Sequence, residues 1–422
     1  MKKFLLISIS ILSLNLSAQA QNEVTLQQCY QLAEANFPYL AQQNIVQSIT
    51  DEAINKINAI WQPQVYLNAQ ATYQSEVTSI GLNIPGIEIN ELSKDQYKAT
   101  LDVNQVLYDG GISKQQRSIQ MSGAAVETQK ITVDIYKVRE RVNQLFLILL
   151  QTDKQQELVN NLKLELNNQE EKIKAGKLFG TATQFQADIL AAEIIKADQR
   201  TIEINAARET ALNMLNLLTG SNFNTNTKFV TPEVNINTSD TLNLRPEIKL
   251  FDLQEALALS QMSFAEAATL PKLSLFVQGG YGRPGLNFLD DTFQFYYIGG
   301  VKFSYPIWTG NTKSNDAAIY QLNAQNVMAN KTSFLINNNI QSAQQLGEIK
   351  KYAQLIEKDN AIIALKANIK NGAQAQLDNG TLAADDFVKY LTDENEAKIN
   401  LAIHQVQLLA AQINYLTLLG KL

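Results

Sequence analysis

The chain has almost none of the residues that catalysis and cross-linking require. Among 422 residues there is one cysteine and one histidine. A lone Cys29 excludes an intrachain disulfide, whatever the redox compartment. A lone His404, between Ile403 and Gln405 in a helical stretch, has no second His or Cys with which to build a metal site. It reads as an ordinary helix residue. No phosphate-binding loop and no nucleophile–base pairing is visible, so neither an enzyme nor a bound cofactor or metal is expected. No basic stripe exists, which argues against nucleic acid as a partner. Beyond residue 20 there is no apolar run of eighteen or more, so no helix is expected to cross a bilayer. Strands could still do so, because their signal per segment is much weaker.

Residues 1–20 read as a targeting segment. Lys2 and Lys3 form a basic start, Phe4 to Leu16 an apolar run, and Ala18-Gln19-Ala20 a small-x-small cleavage site. The mature chain is then expected to begin at Gln21, with 33 basic and 41 acidic residues and a net charge of −8. Gln21 is not cysteine, and Cys29 lies too far inside to be acylated at a new terminus.

What the chain does have is a long-range repeat. Pro38 and Pro63 recur as Pro246 and Pro271, shifted by 208; Gly110 and Gly220 recur as Gly310 and Gly420, shifted by 200. The difference of 8 falls between Tyr73 and Tyr97 in the first copy, and between Tyr281 and Tyr297 in the second. The first repeat spans residues 21–220 and the second 245–422. Residues 221–244, rich in Asn and Thr, link them.

Each copy predicts two strands. Residues 65–73, 97–107, 273–281 and 293–305 alternate with period two. One face carries Val65, Leu67, Leu101, Val277 and Tyr297; the other carries Asn68, Lys98, Asp102, Gln278 and Lys302. Tyr73, Tyr97, Tyr281, Phe293 and Tyr305 stand near strand ends, as an interfacial aromatic girdle would. About ten residues is the length of a tilted membrane-spanning strand. A soluble sheet with one buried face would give the same alternation. Four strands are too few to close a barrel, and an open edge cannot face lipid, so strands spanning a membrane require several chains.

Each copy also predicts a long helical hairpin, over 112–219 and 311–419. Ile131, Ile135, Val138, Val142, Leu145 and Leu149 step by four and three, as do Ile399, Ile403, Val406, Ala410 and Ile413. The outgoing helix breaks at Ala175–Thr181 in one copy and at Asp378-Asn379-Gly380-Thr381 in the other. The returning helices are about half as long. The stretches Thr25–Ile60 and Pro246–Thr269 could supply the missing length by stacking end to end with them.

With these elements the chain resembles the TolC family of outer-membrane efflux and secretion channels, over essentially the whole mature sequence. The carrying stretches are Ala59-Ile60-Trp61-Gln62-Pro63 and Ala267-Ala268-Thr269-Leu270-Pro271 before the strands. Val106-Leu107-Tyr108-Asp109-Gly110-Gly111 and Tyr305-Pro306-Ile307-Trp308-Thr309-Gly310 follow the strands. Leu215-Asn216-Leu217-Leu218-Thr219-Gly220 and Tyr415-Leu416-Thr417-Leu418-Leu419-Gly420 end the helices. The resemblance implies an α+β chain with internal duplication. Four strands per chain would form a trimeric membrane β-barrel, continued by an α-helical coiled-coil tunnel across the periplasm. It also implies an outer-membrane location, a periplasmic adaptor protein and an inner-membrane pump as partners, and loops 76–96 and 282–292 facing outside. A periplasmic or secreted structural coiled coil is the alternative; it explains the helices but not the paired strands.

The resemblance places adaptor contact at the hairpin tips. In the second tip Gly380, Thr381 and Leu382 match. In the first tip, with Leu178 and Thr181, either Gly176 or Gly180 could match the family's tip glycine. A periplasmic aperture lined by Asp386, with Asp385 beside it, is implied just beyond the second tip. Lys389 stands where some relatives carry a second acidic residue. The same two aspartates would also be accounted for by the dipole of a helix N-terminus.

Overall fold

The computed structural model describes residues 23–78, 92–236 and 242–421. The expected signal segment, and residues 79–91 of the first loop, lie outside the described residues. Strand β1 (Glu23–Val24) leads to helices α1 (Leu26–Asn36) and α2 (Tyr39–Asn58), then strands β2 (Gln64–Tyr73) and β3 (Asp95–Tyr108). Helices α3 (Ile112–Leu178) and α4 (Gln184–Thr219) form the first hairpin, and β4 (Lys228–Phe229) lies in the linker. The second copy follows as α5 (Pro246–Ala267), β5 (Lys272–Arg283), β6 (Gln294–Ser304), α6 (Thr312–Asp378) and α7 (Ala384–Leu418).

The repeat holds to the residue. Gln64 and Lys272 both open strands directly after a proline and are 208 apart. Both outgoing helices are 67 residues long, with start and end shifted by 200. At 1.5 Å per residue each reaches roughly 100 Å. Each begins after a strand-to-helix turn with two successive left-handed residues, Gly110-Gly111 and Gly310-Asn311. Glycine adopts that conformation freely and asparagine tolerates it. In the first turn the Asp109 carboxylate accepts from the backbone N–H of Gly111 at 2.8 Å and of Ser113 at 2.7 Å, capping α3.

Strands β2, β3, β5 and β6 form one antiparallel sheet in that order, with β2 and β6 at its edges. The apolar rows run straight across it: Val65, Val103, Val277 and Gly299 are aligned, and so are Leu67, Leu101, Gly279 and Tyr297. This apolar face is uncovered, with Leu67 78 %, Tyr297 83 % and Phe295 86 % exposed. Tyr281 stacks on Phe293, which stacks on Tyr97, in an aromatic patch at one end. The alternation expected as far as Leu107 stops short of it. A bulge leaves Leu107 without a partner and pairs Tyr108 with Leu273, so one extra residue shifts the parity.

The short helices stack on the returning ones. Asn36, ending α1, donates its side-chain amide to the carbonyls of Leu217 and Leu218 at 3.1 Å each. In the other copy the backbone N–H of Leu244 donates to Leu419 at 2.8 Å. Gly220 and Gly420 sit at these two joints. The region Thr25–Ile60 is divided by Pro38, which starts α2, as Pro246 starts α5.

Two apolar cores hold the helices. One joins α1, α3, α4, β4 and α7 around Cys29, Tyr30, Val142, Phe146, Leu215, Phe229 and Ile413. The second lies nearer the tips, around Leu162, Leu166, Leu190, Phe387 and Leu391. The α3 seam is buried as expected, with Val142 and Leu149 at 0 % exposure. The α7 seam is not: Ile399, Ile403, Val406 and Ala410 are half-buried, and of that set Ile413 alone is fully buried. Helix α6 likewise leaves Ile319, Leu322, Ile336, Ile340, Leu365 and Ile369 exposed. The linker is not wholly irregular, since β4 pairs in parallel with β1 and brings Phe229 into the core.

Candidate functional site

Three features carry the candidate function: the polar face of the sheet, the two hairpin tips, and the acidic start of α7. Period-two alternation puts Asn68, Thr100, Asp102, Gln278 and Tyr296 on the face opposite the apolar rows. The Asp102 carboxylate accepts from Asn68 at 2.6 Å, from Thr100 at 3.0 Å and from Gln278, so three strands share one carboxylate. The Lys98 ammonium lies over the Tyr296 ring. On this face the Asp102 charge is held by hydrogen bonds within the sheet.

The backbone shows which glycine reverses the chain in each tip. Gly176 is not the turn residue; it lies inside α3, where its carbonyl accepts from the backbone N–H of Thr181 at 2.8 Å and of Ala182 at 3.3 Å. Gly180 has the left-handed φ of 73° that reverses the chain. Gly380, at φ 70°, does the same, and Gln376 accepts from Thr381 at 2.9 Å and Leu382 at 3.3 Å. In each tip the sixth residue bonds back to the first around a left-handed glycine, the Schellman arrangement. Helix α3 therefore runs on past Lys174 to Leu178, because a glycine within a helix costs only about 1 kcal/mol.

The two tips share a backbone and differ in chemistry. The first exposes Leu178 at 86 %, Phe179 at 83 % and Phe185 at 67 %. The residues 200 positions on are Asp378, Asn379 and Asp385. Phe179 and Phe185 were not singled out from sequence, although carrying the 200-residue shift through the tips would have found them. The starts of the returning helices differ too. Thr183 and Gln186 cap α4 reciprocally. Ala383 offers α7 no side-chain cap, and Asp385 and Asp386 occupy its first turn, where carboxylates complement the helix dipole. Asp386 is exposed and Asp385 half-buried.

His404 Nδ1 lies 2.6 Å from the Asp359 carboxylate, an ion-pair position within the second hairpin. No group of three or more metal-ligating side chains occurs among the described residues. No described helix is long and apolar enough to cross a membrane.

The open four-stranded sheet, continued by two long helical hairpins, is a fold that this chain shares with outer-membrane channels of known structure. Among solved structures the chain is similar to the CmeC outer membrane channel of Campylobacter jejuni, with 16% identity and a TM-score of 0.68, over 94% of this chain and 85% of that one. It is similar to the outer membrane protein VceC of Vibrio cholerae, with 16% identity and a TM-score of 0.67, over 94% and 96%. It is also similar to the MtrE outer membrane channel of Neisseria gonorrhoeae, with 15% identity and a TM-score of 0.68, over 94% and 88%. At such identities the likeness is one of fold. No family model and no curated protein matches the chain.

Proposed function

We propose that the chain is one protomer of a passive outer-membrane exit duct, the channel component of a tripartite efflux or type I secretion system. The carrying observation is the sheet itself. Its apolar face is uncovered, its opposite face is polar, and edges β2 and β6 have no neighbouring strand among the described residues. Such edges cannot remain in lipid, where each unpaired backbone group costs several kcal/mol. Pooling strands from copies of the chain removes them, and three copies give twelve strands. The uncovered apolar residues of α6 fit the same reading, since neighbouring protomers would cover them.

In this reading the hairpins extend the barrel as a periplasmic tunnel. The tips, through Leu178, Gly180, Thr181, Gly380, Thr381 and Leu382, dock a periplasmic adaptor that links the duct to an inner-membrane pump. The aperture is lined by Asp386, three copies of which attract cations. A structural coiled coil would have no use for an apolar, solvent-facing sheet. Membrane fractionation followed by electrophoresis with and without heating tests the proposal. The protein is expected in the outer membrane as an oligomer that heating dissociates. Recovery solely as a soluble monomer would sink the reading.

A further inference from the structure

Adjacent aromatic residues on β6 behave in opposite ways. Phe295 and Tyr297, on the apolar face, stand out at 86 % and 83 % exposure. Tyr296, between them on the polar face, is half-buried. It lies across Gly280, its direct partner on β5, and Gly280 is buried beneath it. A Cβ on Gly280 would fall 2.3 Å from Cζ of Tyr296, nearer than side chains ever approach. The same device recurs four residues along with the strands exchanged. Phe276 on β5 faces Gly300 on β6, whose added Cβ would meet the Phe276 ring at 3.1 Å. By contrast Gly279, on the apolar face, has open space where its Cβ would be.

We propose that Gly280 and Gly300 are bore-setting notches: they lodge the Tyr296 and Phe276 rings flat against the barrel wall and hold the strand end of the duct open. The inference rests on the channel reading above, which makes the polar face the lumen. A phenol ring is about as wide as the spacing between two strands, so a ring turned away from the wall reaches well into a small barrel. Because each chain contributes both notches, every substitution acts once per protomer around the ring. Lys98, over the Tyr296 ring, braces it from the side of β3.

The test uses the whole protein in planar bilayers, with graded polyethylene glycols added to one chamber at a time. The largest polymer that still alters the current reports the bore at the end it enters. Gly280→Val is expected to lower the cut-off on the strand side and to leave the helix-side cut-off unchanged. Adding Tyr296→Ala to Gly280→Val should restore the original cut-off, and Gly279→Val should leave it as it was. Gly300→Ala, a gentler change at the second notch, should act in the same direction as Gly280→Val. An assembled, conducting Gly280→Val channel with an unaltered strand-side cut-off would overturn the notches and leave the duct intact. Failure of the unmodified protein to conduct at all would overturn both.

Discussion

Gly420 turns the chain at the joint between α7 and α5, with a left-handed φ of 72° and no room for a side chain. An added Cβ would sit 2.4 Å from the backbone nitrogen of Arg245. Gly380, at φ 70°, has open space around it. Gly380→Ala should therefore cost only the left-handed strain, about 1–2 kcal/mol. Gly420→Ala should cost clearly more, because backbone must move, and heat dissociation of the two variants would rank them. Cys29 offers a second check at this scale. It is wholly buried, and burial pushes its thiol up to about 12. The thiolate is the reactive form, so alkylating reagents should label the protein only after it is denatured. The repeated glycines were plain in the sequence because they recur at a fixed shift. Which of Gly176 and Gly180 turns the chain was not, since only φ distinguishes a helical glycine from a reversing one.

Elements were legible wherever periodicity was clean. The strands and hairpins fall within a few residues of expectation, and the α3 seam is buried. The α7 seam read equally well and is only half-buried, because a heptad pattern reports an apolar stripe and not what covers it. Within the second hairpin, Glu394 on α7 is buried and ion-paired to Lys370 of α6 at 2.7 Å and to Lys398 at 2.8 Å. Lys370 also reaches Glu165 of α3 at 3.4 Å. Burial alone would raise the Glu394 carboxyl, but hydrogen bonds from Lys370 and Lys398 outweigh it and hold the group below its ordinary value. A lowered folded value stabilises fully above the unfolded value and is lost as pH falls through the folded one. The tie should thus persist at about pH 5 and fail only in stronger acid. Glu394→Gln should weaken it at neutral pH by about 2 kcal/mol, the order of a buried charge losing its partner. Faster hydrogen exchange along the lower half of α7 would report the loss. At the proposed aperture, Asp386→Ala is expected to reduce cation preference in bilayer recordings; unchanged selectivity would leave the two aspartates as helix-end residues and no more.

At the scale of the molecule, the duplicated order of strands and hairpins was readable. The end-to-end joints were foreseen as a matter of length, but their chemistry, Asn36 on two carbonyls and Leu244 on a third, brings together residues 175 to 182 positions apart in the sequence. What local pattern could not supply is the order β2-β3-β5-β6, in which the two copies meet through β3 and β5 at the centre of the sheet. That order leaves one edge from each copy, and the two edges run in opposite directions. A twofold pairing of β2 with β2, or of β6 with β6, would turn one chain upside down and send its hairpins to the other side of the membrane. In the proposed oligomer growth is therefore head to tail, β6 of one chain against β2 of the next, and each addition regenerates the edge that it consumes. It stops only when accumulated rotation returns the last β6 to the first β2, so the curvature of the sheet counts the subunits.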